Sequence, residues 1–272
     1  MKFASKSILA IAAFMAAGAA SAASGYVWNA GTGTGGLTFS ADALSALSAS
    51  GSSILTAATV PTVPGLPGAG AVNTAVYTKA TGNVSLAFNN ATGVGDTLTT
   101  LQAANSLVNI RRSVFNDDGS ISQYNIYMAN FDVNLSNSTI YANLYSRTDA
   151  GALVTYGKQA IFTADVPGVI GGTLGNIVVD GVSGGIATGH ASGSLAGSLR
   201  MNGTTATNIL TALNLSTAAT DPVAILVRTA NWGTTNAAGT FTAPAVPEPS
   251  TYALMAMGLV GIAATRRRLI KA

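Results

Sequence analysis

Apolar and polar side chains alternate most clearly in the middle of the chain. From Tyr127 to Leu135, Phe131, Val133 and Leu135 alternate with Asp132 and Asn134; after Ser136, Asn137 and Ser138, the run from Thr139 to Tyr145 sets Ile140, Ala142 and Leu144 against Tyr141, Asn143 and Tyr145. Successive side chains of a strand point to opposite faces, so two such runs joined by a short polar link predict a β-hairpin with one buried face. Weaker runs predict strands at Ser53 to Val60, Ala71 to Thr78, Asn83 to Phe88, Gln159 to Thr163, Asn176 to Val179 and, last, Val223 to Val227. Thr97 to Leu107 fits either a helix or a strand.

Two stretches carry helical spacing. Ser40 reads as an N-cap with Asp42 in the first turn, and Leu44 and Leu47 share a face before Gly51 stops the element. Thr205 to Leu215, with Ile209, Leu210 and Leu213, predicts a second short helix. Prolines 61, 64 and 67 with Gly65, Gly68 and Gly70 predict a long loop, and Asn116 to Ser120 a tight turn. Gly31 to Gly36 reads as a flexible turn, Gly181 to Ser198 as a low-complexity stretch, and Thr229 to Ala245 as a linker. The pattern describes a mainly β protein. An antiparallel β-sandwich or barrel-like body with one or two short helices occupies residues 23–228, followed by a linker at 229–245.

Both ends differ from this body. Lys2 and Lys6 precede an apolar run from Ile8 to Ala17 and the small residues Ala20, Ser21 and Ala22, which reads as a signal peptide over residues 1–22 cleaved after Ala22. At the other end Val246, Pro247, Glu248, Pro249 and Ser250 form a stiff spacer, because both prolines lock φ and hold their neighbours extended. An apolar run from Tyr252 to Ala264 follows, then Arg266, Arg267 and Arg268. That run is about 20 Å long as a helix, against roughly 30 Å of hydrocarbon, so a single transmembrane helix at 251–265 depends on basic side chains snorkelling to the headgroups. The arginines act as a membrane stop, with the body outside.

Pro-Glu-Pro, an apolar helix and a terminal arginine cluster, in that order at 246–268, resemble the PEP-CTERM sorting signal of exported Gram-negative proteins. The resemblance implies a route: export through the inner membrane, transient anchoring, recognition by an exosortase, and a final place at the cell surface or in an exopolysaccharide-rich matrix. A fainter resemblance lies in the layout of the body, where a strand runs into a short Ala/Leu helix, a central hairpin contains Asn130, Phe131, Asp132 and Val133, and a Thr/Ala/Leu helix comes late. That layout is similar to exported β-sandwich domains of HtaA-type haem-binding surface proteins, in which haem needs an axial Tyr or His on a shielded loop.

Composition then changes meaning. Of thirteen Lys and Arg and ten Asp and Glu, the terminal segments hold six basic residues and Glu248, leaving seven basic and nine acidic residues in the body. The overall isoelectric point near 9.3 therefore implies no nucleic-acid partner, since a basic footprint must lie on the folded domain. Cysteine is absent, which excludes disulfides and thiolate chemistry, so stability rests on burial and backbone pairing.

Candidate chemistry is sparse. Gly31 to Gly36 matches G-x-G-x-x-G but precedes a strand-like stretch, where a dinucleotide loop must follow a strand and open a helix. Gly181 to Gly185 matches G-x-S-x-G, with Ser183 central and His190 close behind, but a glycine-rich segment stands where a nucleophile elbow needs a helix. One histidine cannot build a two-histidine metal site. Asn116, Asp117, Asp118 and Ser120 offer oxygens to calcium without the EF-hand spacing. Tyr124, Tyr127, Tyr141 and Tyr145 cluster on the hairpin, where an outward aromatic row would stack on sugar rings and a buried one would pack. Scattered threonines raise an ice-binding face, but no regular Thr-x-Thr repeat is evident. The expectation is a non-enzymatic, cofactor-free structural or adhesive surface protein associated with exopolysaccharide; the alternative is a surface module binding polysaccharide, calcium or haem.

Overall fold

The computed structural model describes residues 26–55, 73–74, 76–149, 151–165, 170–171 and 176–245, with 255, 257 and 259. The expected signal peptide with Ala20 and Ala22, the expected proline loop, and the sorting residues Val246 to Ser250 and Arg266 to Arg268 lie outside them. Met255, Met257 and Leu259 are helical and exposed, and among the described residues no helix is long and apolar enough to cross a membrane.

The elements run β1 (Val27–Trp28), β2 (Ala30–Thr38), α1 (Ala41–Ala49), β3 (Ser52–Leu55), β4 (Asn73–Thr74), β5 (Val76–Thr78), β6 (Asn83–Phe88), β7 (Asn90–Val94), β8 (Thr97–Phe115) and β9 (Ile121–Asn134). They continue with β10 (Thr139–Thr148), β11 (Val154–Ala164), β12 (Ile170–Gly171), β13 (Val178–Ser183), β14 (Ile186–Leu195), β15 (Leu199–Met201), α2 (Gly203–Ala212), α3 (Pro222–Thr229) and β16 (Thr234–Pro244). Nine strands form one sheet in the order β1-β7-β8-β9-β10-β11-β15, with β3 and β4 also paired to β8. Seven form the other, β12-β14-β16-β2-β6-β5, with β13 beside β14. Every pairing is antiparallel except β4 with β8. The two sheets face each other across one core, the arrangement expected of a β-sandwich.

Bulk is divided unequally between the two inner faces. The nine-stranded sheet supplies Leu101, Val108, Met128, Phe131, Ile140 and Phe162. The seven-stranded sheet supplies Phe88 and Phe241 among Gly31, Gly33, Gly35, Gly239 and the buried Ala187, Ala191 and Ala243. Gly33 shows why: a Cβ there would stand 2.3 Å from the Ala238 carbonyl oxygen and 2.7 Å from Gly239 Cα. Only glycine allows β2 and β16 this approach. Between the sheets remains an apolar cavity of about 130 Å³ bordered by Leu101, Phe88, Phe131 and Phe241.

The helices obey their caps. Ser40 Oγ accepts from Ala43 N–H at 3.2 Å, and Asn202 and Asp221 receive the first amides of α2 and α3. The helices pack around Trp232, whose ring lies 5.4 Å from that of Phe162 and 6.3 Å from that of Phe39. Arg112 donates to the carbonyls of Leu213 at 2.9 Å and Asn214 at 2.8 Å, closing the end of α2 onto β8.

Four expectations need correction. Val223 to Val227 is helix, because Asp221 and Pro222 form an N-cap and first-position pair that favours a helix start over a strand. The stretch 229–245 is no linker: β16 lies at the centre of the seven-stranded sheet, between β14 and β2. Gly31 to Gly36 is strand, its backbone bonded on both sides by β16 and β6. Gly181 to Ser198 holds most of the β13–β14 hairpin, turned at Gly184 and Gly185, both at positive φ. The ambiguous Thr97 to Leu107 resolves as the first half of β8.

The central hairpin holds where the alternation was read, with Phe131, Leu135, Ile140, Ala142 and Leu144 buried in the main core. It is buried on a second face as well. Three residues of β8 sit opposite Asn130, since the pairing steps from Ala103–Phe131 to Leu107–Ala129. Asn105 and Asn130 both take positive φ there, and Asn130 Oδ1 accepts from Asn105 N–H at 2.8 Å. This bulge shifts the alternation, so Tyr127 and Ala129 turn away from the main core and join Leu107 and Tyr145 in a small cluster beneath Leu153.

Candidate functional site

The four hairpin tyrosines do not share an exposed face. Tyr127 and Tyr145 are direct partners across β9 and β10, and both are buried. Burial raises both phenols above their ordinary range, because the ionised ring loses its water. Tyr124 packs against the main core, and its hydroxyl accepts from Asn214 Nδ2 at 3.2 Å. Tyr141 alone sits half-buried on the outward face of the nine-stranded sheet, opposite Asp132.

A compact polar set surrounds that ring. Lys158 Nζ stands 5.5 Å from the ring centroid and pairs with Asp132 Oδ2 at 2.5 Å. Asn137 Nδ2 donates to the Tyr141 hydroxyl at 3.2 Å. The other carboxylate oxygen of Asp132, Oδ1, is buried and has no hydrogen-bond partner among the described residues. Buried acceptors are almost always satisfied, so an oxygen sealed from solvent without a donor is the unusual feature here. An aromatic face, an ammonium donor held by a carboxylate, and an amide together suit a polyhydroxylated ring: the apolar sugar face lies on the tyrosine while hydroxyls accept from the exposed Lys158 ammonium.

The remaining candidates fall elsewhere. Asn116, Asp117, Asp118 and Ser120 close the β8–β9 turn with Gly119 at positive φ. Ser120 donates to Asp118 Oδ1 through its amide at 2.9 Å and its hydroxyl at 2.6 Å, and these bonds hold the Asp118 carboxyl below its ordinary range. Asn116 Nδ2 donates to Ser120 Oγ at 2.8 Å and Ser122 Oγ at 2.9 Å, so the turn's polar atoms serve one another. Among the described residues no group of three or more His, Cys, Asp or Glu could hold a metal ion. Ser183 pairs with Ile186 across the β13–β14 turn, a strand–turn–strand unit without the helix a nucleophile elbow requires. His190 Nδ1 lies 2.6 Å from Asp180 Oδ1 on the surface of that hairpin.

Periodicity missed the Asp132–Lys158 partnership, because Lys158 lies on β11 and reaches the ring only after β10 and β11 pair. Its one sequence signal is the polar Asp132 within the alternating run, which the register sets opposite Tyr141.

The sandwich and its tail together define an exported β-protein. Residues 245–268 match the PEP-CTERM protein-sorting motif, which implies export across the inner membrane and recognition by an exosortase. The crystal structure of the C-terminal domain of HtaA from Corynebacterium glutamicum aligns with 79% of this chain and 99% of that domain, at 13% identity and a TM-score of 0.37. A similarity so distant bears on neither ligand nor mechanism. Comparison with curated proteins finds no match.

Proposed function

We propose that this is a non-catalytic structural or adhesive protein of the cell surface or extracellular matrix, which holds exopolysaccharide through Tyr141, Asp132 and Lys158. The observation that carries the reading is the half-exposed Tyr141 ring with the exposed Lys158 ammonium 5.5 Å from its centroid, held there by Asp132. A sugar hydroxyl accepts from the Lys158 ammonium while its ring covers the tyrosine face. The sorting tail brings the chain to the compartment where such polymer lies and holds it in the membrane until an exosortase acts near Pro247 to Pro249.

Retention of the full chain on the producing strain's own exopolysaccharide tests the reading. Tyr141→Ala and Asp132→Asn should each weaken retention by about fivefold or more, equivalent to about 1 kcal/mol. Equal retention of both variants and the unaltered protein removes the sugar contact.

A further inference from the structure

The cavity between the sheets, about 130 Å³, is larger than close packing leaves in an interior, where voids bigger than a water molecule are few. Buried Leu101, Val108, Met128 and Phe131 form its roof on the nine-stranded sheet. Across from them, Ala191, Gly239 and Gly33 are direct partners in one rank over β14, β16 and β2, and Gly193, Ala237 and Gly35 in the next. Two rings frame that floor. A Cβ at Gly35 would meet Phe88 Cε2 at 2.2 Å and one at Gly31 would meet Phe241 Cδ1 at 2.5 Å, so the rings lie over those two positions with Gly33 between them. Larger residues cannot close the floor at Gly33 or Gly239, where a Cβ would meet backbone oxygen of the facing strand at 2.3 and 2.7 Å.

The described lining offers little to water. No charged residue is part of it. Thr32 and Asn236 turn out to solvent from β2 and β16, and Ser192 and Ser194 alternate with inward Ala191, Gly193 and Leu195. Thr235 Oγ1, on the inward side, already accepts from the Leu195 amide at 2.9 Å. A buried water needs two to four polar partners, and apolar cavities of this size stay dry.

We infer that this cavity is a binding site for one small, uncharged aromatic ring. Its volume matches that class, since a cavity of about 150 Å³ lined by Leu, Ile and Phe admits benzene. The lining favours an aromatic ring over a plain alkyl group. Phe88, Phe131 and Phe241 border the space and can meet a ring edge to face, and the Met128 thioether adds a sulfur contact. A carboxylate, an ammonium or a sugar hydroxyl would surrender its water there without a partner, which excludes charged and polyhydroxylated ligands. An open void costs stability in proportion to its volume, and a ring that fills it restores the missing contacts. The inference does not depend on the Tyr141 site, which lies on the outward face of the nine-stranded sheet.

Scanning calorimetry of the full chain in a sealed cell, with and without benzene, tests it. At about ten times its dissociation constant, benzene should raise Tm by about 3–6 °C. Hexanoate, with the same number of carbons and a carboxylate, should leave Tm unchanged. Ala191→Leu adds three carbons to the floor and should hold the benzene shift below about 1 °C. Leu101→Ala enlarges the space from the roof, and should melt lower than the unaltered chain without benzene yet shift further with it. Gly181→Ala, whose Cβ meets nothing within 4 Å, should keep the full shift. A benzene shift of zero in the unaltered chain overturns the inference, as does an equal shift with hexanoate or an undiminished shift in Ala191→Leu. If Ala191→Leu does not fold, Leu101→Ala decides alone: a shift no larger than that of the unaltered chain overturns the site.

Discussion

Replacing Gly33 by alanine tests the central pairing of the fold. Gly33 lies directly opposite Gly239 on β16 and Phe88 on β6. The added methyl would stand 2.3 Å from the Ala238 carbonyl oxygen, 2.7 Å from Gly239 Cα and 3.1 Å from the Ala238 carbonyl carbon. Ordinary contact begins at 3.4 Å, so the nearest approach is short by about 1.1 Å. All three atoms are backbone, so no side-chain rotation relieves the clash. β16 must move off β2, which stretches ladder hydrogen bonds on both sides. Overpacking of this kind costs about 3 kcal/mol, and for a body of this size each kcal/mol lowers Tm by about 2–4 °C, which gives a fall of about 6–12 °C. Gly181→Ala is the control, because its Cβ meets nothing within 4 Å, and it should stay within about 0.5 kcal/mol of the unaltered protein. Thermal unfolding followed by circular dichroism reads both. If Gly33→Ala melts within a degree or two of Gly181→Ala, β2 and β16 are not paired in this register.

Three further outcomes are expected. Trp232→Ala removes the ring buried among the helices, Phe39 and Phe162 and should cost about 3–5 kcal/mol in urea unfolding; a loss below 1 kcal/mol contradicts its place at that junction. Asp221→Ala deletes the acceptor of the Val223 and Ala224 amides at 2.9 and 3.0 Å and should cost about 1 kcal/mol, with no loss if α3 is capped otherwise. Tyr127 and Tyr145 have raised pKa values when folded, so the native state holds protons that the unfolded chain releases. Their contribution is intact below the ordinary phenol value of about 10 and is lost as pH climbs through the raised folded values. Stability should therefore decline above pH ~10, and the Tyr127→Phe, Tyr145→Phe pair should flatten that decline; an unchanged slope refutes it.

The sites divide along the same line as the fold. The tail was legible because its signal is contiguous: prolines, an apolar run and arginines lie within 23 residues of one another in the sequence. The central hairpin was legible because its partners are also sequence neighbours and its period is two. Tyrosine exposure was not, because the bulge at Asn130 swaps faces partway along β9 and so separates Tyr127 from the residues beyond it.

Local chemistry alone determined the strands of the central hairpin, the capped start of α1 at Ser40 and the C-terminal sorting motif, for each of these is a relation among residues a few positions apart. Tertiary structure decided the rest. Gly31 to Gly36 has no side-chain pattern that demands a strand, and becomes one because β16 and β6 satisfy its amides and carbonyls while Phe241 and Phe88 fill the space its missing side chains leave. β16 itself reads as a linker until β14 and β2 close on it. Backbone hydrogen bonds must be made once a segment is buried, and one of the two partners that make them for β2, β16, lies some two hundred residues further along the chain.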